Sequence, residues 1–268
     1  MSSNTGAAQL SADCLAIAEQ ASRVALAGFG TRPATREKGA HDLVTEFDLK
    51  TQAEVVRLLS ERYPGVPIVG EEGDFAEVGV GRDLTFVVDP IDGTTNFAHG
   101  HPVWCVSVGV LRGGEPIAGG IAAPSLALSW RGFRTDEGGE LYRTGERRRV
   151  SETASLDTAL IATGFPPNRD HAPENNFDSF VAVKRRALAV RRCGSAAIDI
   201  AFVADGTYDA YWERRLKLWD SAAAAAFVLA AGGTITALDG GPAKLENGNI
   251  VASNGRVHDQ LVAAIAAS

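Results

Sequence analysis

A mixed α/β fold is predicted, with its most antiparallel part in the middle of the chain, and three observations predict it. Residues Val103 to Arg143 read as consecutive short strands, strands and helices alternate from Ala159 onward, and helical patterns open and close the chain. No repeat, linker or low-complexity stretch marks a clean boundary, so the 268 residues make one large domain or two closely packed halves.

Ala7 to Gly28 carries Ala, Leu, Ile and Val at helical spacing, with Gly28 and Gly30 placed to end an amphipathic helix. Arg36 to Asp48 (REKGAHDLVTEFD) is mostly polar around Leu43-Val44-Thr45 and reads as an extended segment or hairpin. Asp48 is placed to cap the next helix, Leu49 to Arg62, where Val55, Val56, Leu58 and Leu59 make an apolar face. Tyr63-Pro64-Gly65 stops it, and Pro67-Ile68-Val69 is a short strand delivering Gly70-Glu71-Glu72. Leu84 to Val88 is apolar, rich in β-branched residues and bounded by turn formers, which predicts a buried strand.

Further strands are predicted at Val103 to Leu111, Pro116 to Ala122, Ala127 to Phe133 and Gly139 to Arg143, with Gly113-Gly114 as a turn. The run Arg147-Arg148-Arg149 reads as a solvated hairpin end rather than a nucleic-acid patch. Next come a strand at Ala159 to Thr163, a polar loop from Gly164 to His171 and a helix through Arg186. Ala189 to Arg192 is a strand and Ser195 to Ala204 a helix. Tyr208 to Trp212 is a strand, followed by an alanine-rich helix, Asp220 to Ala231, that Gly232-Gly233 ends. Thr234 to Leu238 and Ile250 to Ala252 close the sheet, and Val257 to Ala267 is the last helix.

Composition narrows the function. No apolar run approaches the length needed to cross a bilayer, and the opening MSSNTGAAQLSADC has neither a basic stretch nor the apolar core of a secretion signal. Cys14, Cys105 and Cys193 are widely spaced and odd in number, which suggests neither a disulfide framework nor a C-x-x-C metal site; a cytoplasmic location is expected. The net charge of −7 argues against general nucleic-acid binding, and it means that an anionic substrate needs local cations.

The chemistry gathers in Leu84 to Gly100, LTFVVDPIDGTTNFAHG. Asp89 and Asp92 are separated by a rigid Pro-Ile step and followed by Gly93, so a sharp turn aims both carboxylates at one point. The Gly-Thr-Thr that follows opens a helix, whose unpaired N–H groups favour an anion beside those acids. Acids beside an anion site make electrostatic sense with a cation between them, which points to a metal-bound phosphate. A bare Asp-Pro-x-Asp-Gly is equally a solvated turn; the full nonapeptide is a narrower pattern. Three other acidic segments are candidates: Gly70-Glu71-Glu72 after a strand, Trp219-Asp220-Ser221-Ala222-Ala223 at a helix start, and Asp42 to Asp48. Helix capping alone accounts for Asp48 and Asp220, and a surface Glu-Glu pair is commonplace.

Asp89-Pro90-Ile91-Asp92-Gly93-Thr94-Thr95-Asn96-Phe97 resembles the hallmark of the inositol monophosphatase family of metal-dependent, lithium-sensitive phosphatases. Gly-Glu71-Glu72, Gly194-Ser195-Ala196-Ala197, Asp209 to Glu213, and Trp219-Asp220 before the alanine-rich helix and Gly-Gly match in order and position, from about Asp42 to Gly233. The resemblance implies a layered αβαβα sandwich, a single inositol monophosphatase-like domain over residues 1–268 with an α+β half of about 1–150 and an α/β half of about 151–268. It also implies a homodimer.

By the same resemblance, Glu71, Asp89 and the Ile91 carbonyl would hold a first Mg²⁺, and Asp89, Asp92 and Asp220 a second. Glu71 would help place a third, weaker ion. The residue types agree: each candidate is a hard oxygen donor, no thiolate is present, and the histidines are scattered. Thr94, Asp48 and Glu71 would be catalytic, Thr94 orienting the attacking water and giving a hydrogen bond to Asp48, Glu71 placing that water. The Gly93 and Thr94 N–H groups would hold the phosphate, and Asp92, the Ala196 backbone and Glu213 would meet the alcohol.

The implied reaction is in-line hydrolysis of a phosphomonoester by metal-activated water. Glu213 and the aromatic residues before it fit a polyol, which puts inositol-1-phosphate first; fructose 1,6-bisphosphate, 3′-phosphoadenosine 5′-phosphate and histidinol phosphate are substrates of relatives of this fold. Arg214, Arg215 and Lys217 depart from the family pattern; they point to solvent, or Arg214 or Arg215 meets a second anionic group on the substrate. A regulatory protein binding RNA or the transcription machinery is the alternative from another class, and it predicts a coherent basic face.

Overall fold

The computed structural model describes residues 3–39, 41–77, 83–167 and 175–268. Helices α1 (Ser3–Leu26) and α2 (Glu46–Arg62) flank a hairpin of β1 (Thr35–Gly39) and β2 (Asp42–Thr45). Seven strands follow: β3 (Ile68–Gly70), β4 (Leu84–Asp92), β5 (Cys105–Arg112), β6 (Glu115–Ala123), β7 (Leu128–Thr135), β8 (Gly138–Arg143) and β9 (Glu146–Arg148), with the short helix α3 (Thr94–Ala98) after β4. They pair in sequence order into one sheet that is parallel only between β3 and β4, because tight turns join neighbours most readily in antiparallel fashion.

The second half alternates as expected: β10 (Leu160–Thr163), α4 (Phe177–Lys184), β11 (Ala189–Arg191), α5 (Ala196–Ala204), β12 (Ala210–Glu213), α6 (Leu218–Ala230), β13 (Thr234–Thr236), β14 (Ile250–Ser253) and α7 (His258–Ala266). Its strands form a five-stranded sheet in the order β11-β10-β12-β14-β13. Residues 168–171 of the expected polar loop lie outside the described residues.

Five layers result. α1 and α2 cover one face of the seven-stranded sheet, α5 and α6 lie between the two sheets, and α4 and α7 cover the far face of the five-stranded sheet. A helix between two sheets must be apolar all round, and Ala222 to Ala226 of α6 are all buried. The sheet makes room for this helix. Gly109, Gly119 and Gly132 are successive cross-strand partners on β5, β6 and β7. A methyl group on Gly109 would lie 2.8 Å from the Ala223 nitrogen, and one on Gly132 2.8 Å from the Phe227 ring. The glycines form a trough, and α6 lies in it. Gly120, one residue along β6, faces the opposite side, where a methyl group would come within 2.1 Å of the Leu15 backbone of α1.

Polar links tie the middle layer to the large sheet. Trp130 Nε1 on β7 donates to Asp205 Oδ2 at 2.8 Å, just beyond α5, and Arg143 Nη1 lies 3.3 Å from the same carboxylate. The basic run sits on the exposed edge strand β9, where Arg147 pairs with Glu140 at 3.3 Å and Arg148 with Glu146 at 2.7 Å. A short charged edge discourages further strand pairing.

Two expected helix starts are corrected. Asp48 does not cap α2; Thr45 does, and Asp48 is the third residue of the helix, reaching back to the Thr45 N–H at 2.8 Å. Asp220 likewise lies inside α6, its Oδ2 accepting the Lys217 N–H at 2.7 Å. In both cases a carboxylate in the first turn satisfies an orphan donor behind it, leaving its second oxygen free to point elsewhere.

Candidate active site

The site forms where β3 and β4 end. In a regular strand Asp89 and Asp92, three residues apart, would point to opposite faces. The register slips here: Asp89 pairs with Ser107 and Asp92 with Cys105, so Pro90 and Ile91 oppose the single residue Val106. This bulge, at a proline with no N–H for the ladder, turns both carboxylates to one side. The Ile91 N–H donates back to Asp89 Oδ1 at 3.1 Å. Gly93 then turns with φ of 99°, packed so closely that a side chain would meet the Val103 and Gly194 carbonyls at 3.0 and 3.1 Å.

Asp220 comes in from α6, and Asp89, Asp92 and Asp220 each offer an oxygen, all within 4.8 Å of one another. Burial pushes all three carboxyls up, and repulsion among the acids pushes Asp89 and Asp220 well above the ordinary range. Asp92 rises to about 6, because burial is opposed by hydrogen bonds from the Ser195 hydroxyl and the Ala197 N–H, at 2.5 and 2.7 Å. Crowded hard oxygen donors with uncompensated charge fit a divalent cation such as Mg²⁺. Glu71, at the end of β3, faces the same space, and burial raises its pKa to about 7 against the pull of the Lys38 ammonium 2.6 Å away.

Beside the cluster, the Thr94 hydroxyl lies 3.1 Å from both Asp48 Oδ1 and the Ile91 carbonyl. Asp48 is buried, which raises its pKa, and its Oδ2 is taken by Thr45, so only Oδ1 faces Thr94. Asn96 Nδ2 donates to the Val103 and Cys193 carbonyls at 2.7 and 2.8 Å, tying α3 to the loop before α5.

These groups line a hollow of about 680 Å³ that includes Glu71, Asp89, Ile91, Asp92, Gly93, Thr94 and Asp220. Its other side is formed by Phe165, Pro167, Phe177 and Arg192. Two of the expected substrate contacts do not line it. Glu213 is buried beneath Gly164, with its carboxylate accepting the Tyr211 hydroxyl and pushed up to about 7 by burial. Ala196 stands behind Asp92 in the first turn of α5. Nor do Arg214 and Arg215 reach the hollow: Arg214 Nη2 donates to Ser179 Oγ at 3.3 Å, and the Arg215 N–H to Asn249 Oδ1 at 3.0 Å.

Several contributors escaped the sequence reading. Ser195, the N-cap of α5, also donates to Asp92, and a serine before a helical Ala-Ala was a legible signal. Lys38 and Arg192 carried none, being single cations in polar stretches.

An αβαβα sandwich whose clustered carboxylates meet between the end of a strand and the first turn of a helix defines a class of metal-assisted phosphatases. The chain matches the inositol monophosphatase family over residues 8–268 and belongs to it, a family of phosphoric monoester hydrolases. It is 41% identical over 235 residues to an inositol-1-monophosphatase of Synechocystis sp., covering 87% of this chain and 80% of that one. It is 39% identical to the Nus factor SuhB of Pseudomonas aeruginosa, covering 85% and 84%. The solved inositol monophosphatase of Anabaena superposes with a TM-score of 0.85 at 33% identity, covering 97% and 96%.

Proposed function

We propose that this chain hydrolyses inositol-1-phosphate, with two or three Mg²⁺ ions as cofactor. The observation that carries the reading is the buried carboxylate cluster standing beside a Thr94–Asp48 hydrogen bond. Glu71, Asp89, the Ile91 carbonyl, Asp92 and Asp220 would hold the ions, which supply charge neutralisation of the phosphate and a more acidic water. Thr94 donates its hydrogen bond to Asp48, so its oxygen is left to accept one from the attacking water and turn the water's lone pair toward phosphorus. Gly93 and Thr94 offer N–H groups to the phosphate. The water oxygen bonds to phosphorus as the ester P–O bond breaks, and the departing alkoxide takes up a proton that the attacking water gives up, leaving free alcohol and inorganic phosphate. Asp92 is the expected alcohol contact that lines the hollow; Ala196 and Glu213 act from behind it.

Arg192 favours a second reading of the substrate. It is the one Lys or Arg among the described residues lining the hollow, which suits an ester with a further anionic group. The relative named as a Nus factor raises a regulatory role, but the ion-paired arginines of β9 give it no support in this chain. A homodimer is part of the proposal, and the exposed Val181 and Leu188 are apolar surface it could cover; light scattering would read it. The deciding measurement is phosphate release, with Mg²⁺ and with EDTA, from inositol-1-phosphate, fructose 1,6-bisphosphate, 3′-phosphoadenosine 5′-phosphate and histidinol phosphate. Metal-dependent turnover led by the first is expected, and no turnover of any despite Mg²⁺ binding would overturn the proposal.

A further inference from the structure

Lys38 reaches from the β1–β2 hairpin to the end of β3. Its Nζ lies 2.6 Å from Glu71 Oε1, 2.9 Å from Glu72 Oε1 and 3.9 Å from Asp42 Oδ1. The hairpin supplies Glu37, His41, Asp42 and Leu43 to one wall of the hollow. Every residue of β1 is exposed, and only Val44 and Thr45 of β2 are buried, so the hairpin has little apolar surface to hold it down. Lys38 thus ties the hairpin directly to the acid cluster.

Glu71 is also a proposed cation ligand, and one carboxylate cannot fully serve an ammonium and a divalent cation, which repel each other. Glu72 offers Lys38 a second place. Its side chain is 6% exposed, and Gln52 fixes its backbone by accepting the Glu72 N–H at 2.9 Å and donating to the Glu72 carbonyl at 2.6 Å. Asp42 Oδ1 stands 3.9 Å from the same ammonium. An ammonium leaving Glu71 would thus stay paired.

We propose that Lys38 is a positioning residue, a displaceable counter-ion that holds Glu71 until a divalent cation takes it and then moves onto Glu72 and Asp42. The inference rests on the proposed function above. Cation binding at Glu71 must break an ion pair, which weakens it, and by reciprocity the cation load sets how firmly the hairpin is held.

The test uses the full chain, Mn²⁺ as the probe, and Lys38→Met and Lys38→Arg variants; the exposed hairpin tolerates either change. Electron paramagnetic resonance counts free Mn²⁺ in a titration, and hydrogen exchange follows residues 35–39 and 42–45. Lys38→Met should bind Mn²⁺ at least tenfold more tightly at the step that Glu71→Gln abolishes, and its metal-free hairpin should exchange at least tenfold faster. Lys38→Arg should behave as the parent. Damage to structure alone would not tighten binding. Unchanged or weaker Mn²⁺ binding in Lys38→Met, or unchanged hairpin exchange, would overturn the counter-ion role. A parent chain that bound no Mn²⁺ would instead overturn the proposed function.

Discussion

The Thr94 hydroxyl stands 3.1 Å from Asp48 Oδ1, linking the first turns of two helices whose residues lie 46 apart in sequence. Acting as a unit, the pair should show non-additive losses. Thr94→Val is expected to lower kcat about 10²-fold or more, the size typical of a lost proton-positioning group, while Thr94→Ser stays within a few-fold. Asp48→Asn added to Thr94→Val should cost little more. Steady-state kinetics of the singles and the double decide it; fully additive losses would show that the two act separately.

Asp89→Asn should separate activity from stability. Burial and the nearby carboxylates oppose its charge, so removing that charge should raise the melting temperature in EDTA. The same variant should lose phosphatase activity by at least about 10²-fold, and Mg²⁺ should raise the melting temperature of the parent chain but not of the variant. Calorimetry with and without Mg²⁺ reads both; a lower melting point in EDTA would contradict the charge argument.

Asp205 holds Trp130 and Arg143 through a buried carboxylate. Asp205→Ala leaves the indole N–H without its acceptor and should destabilise by about 2–3 kcal/mol, with Asp205→Asn milder. Urea denaturation gives the comparison.

Gly120 meets α1 with no space for a methyl group. Gly120→Ala should destabilise by about 1–3 kcal/mol or more, because the obstacle is backbone rather than a side chain that can turn aside. The melting temperature of the variant tests this directly.

His258 sets an acid limit on stability. Its ring nitrogens meet Ser253 Oγ at 2.8 Å and Thr236 Oγ1 at 2.9 Å, and burial holds its pKa below the ordinary value. The unfolded chain takes up a proton near pH 6.5 that the folded chain resists. This contribution is complete above that pH and is lost as pH falls toward the folded pKa. His258→Asn should flatten the decline of melting temperature between about pH 7 and 5.

The order of elements was legible because each carries its own period and punctuation. The acid cluster was legible because Asp89 and Asp92 share one short motif and Asp220 has a Trp–Ala context. What stayed hidden was relational. Period-2 alternation would separate Asp89 from Asp92, and only the pairing with β5 shows the bulge that unites them. Asp48 and Asp220 look like caps in isolation, since a first-turn acid and a capping acid differ by a register that the fold decides. Among the described residues, the cation facing the hollow is Arg192 rather than Arg214 or Arg215, and nothing in the local pattern of either stretch says which way it turns.

The glycine trough has a consequence for ion choice. Gly109 touches α6 at Ala223, three residues beyond Asp220, so the absence of a side chain on β5 sets the depth to which that helix sinks. Depth fixes how near Asp220 comes to Asp89 and Asp92. Mg²⁺ and Ca²⁺ differ by only a few tenths of an ångström in their preferred oxygen distances. A residue that ligates nothing thus helps set the spacing of the three carboxylates, and three missing methyl groups on the sheet become part of the geometry of the proposed cation site.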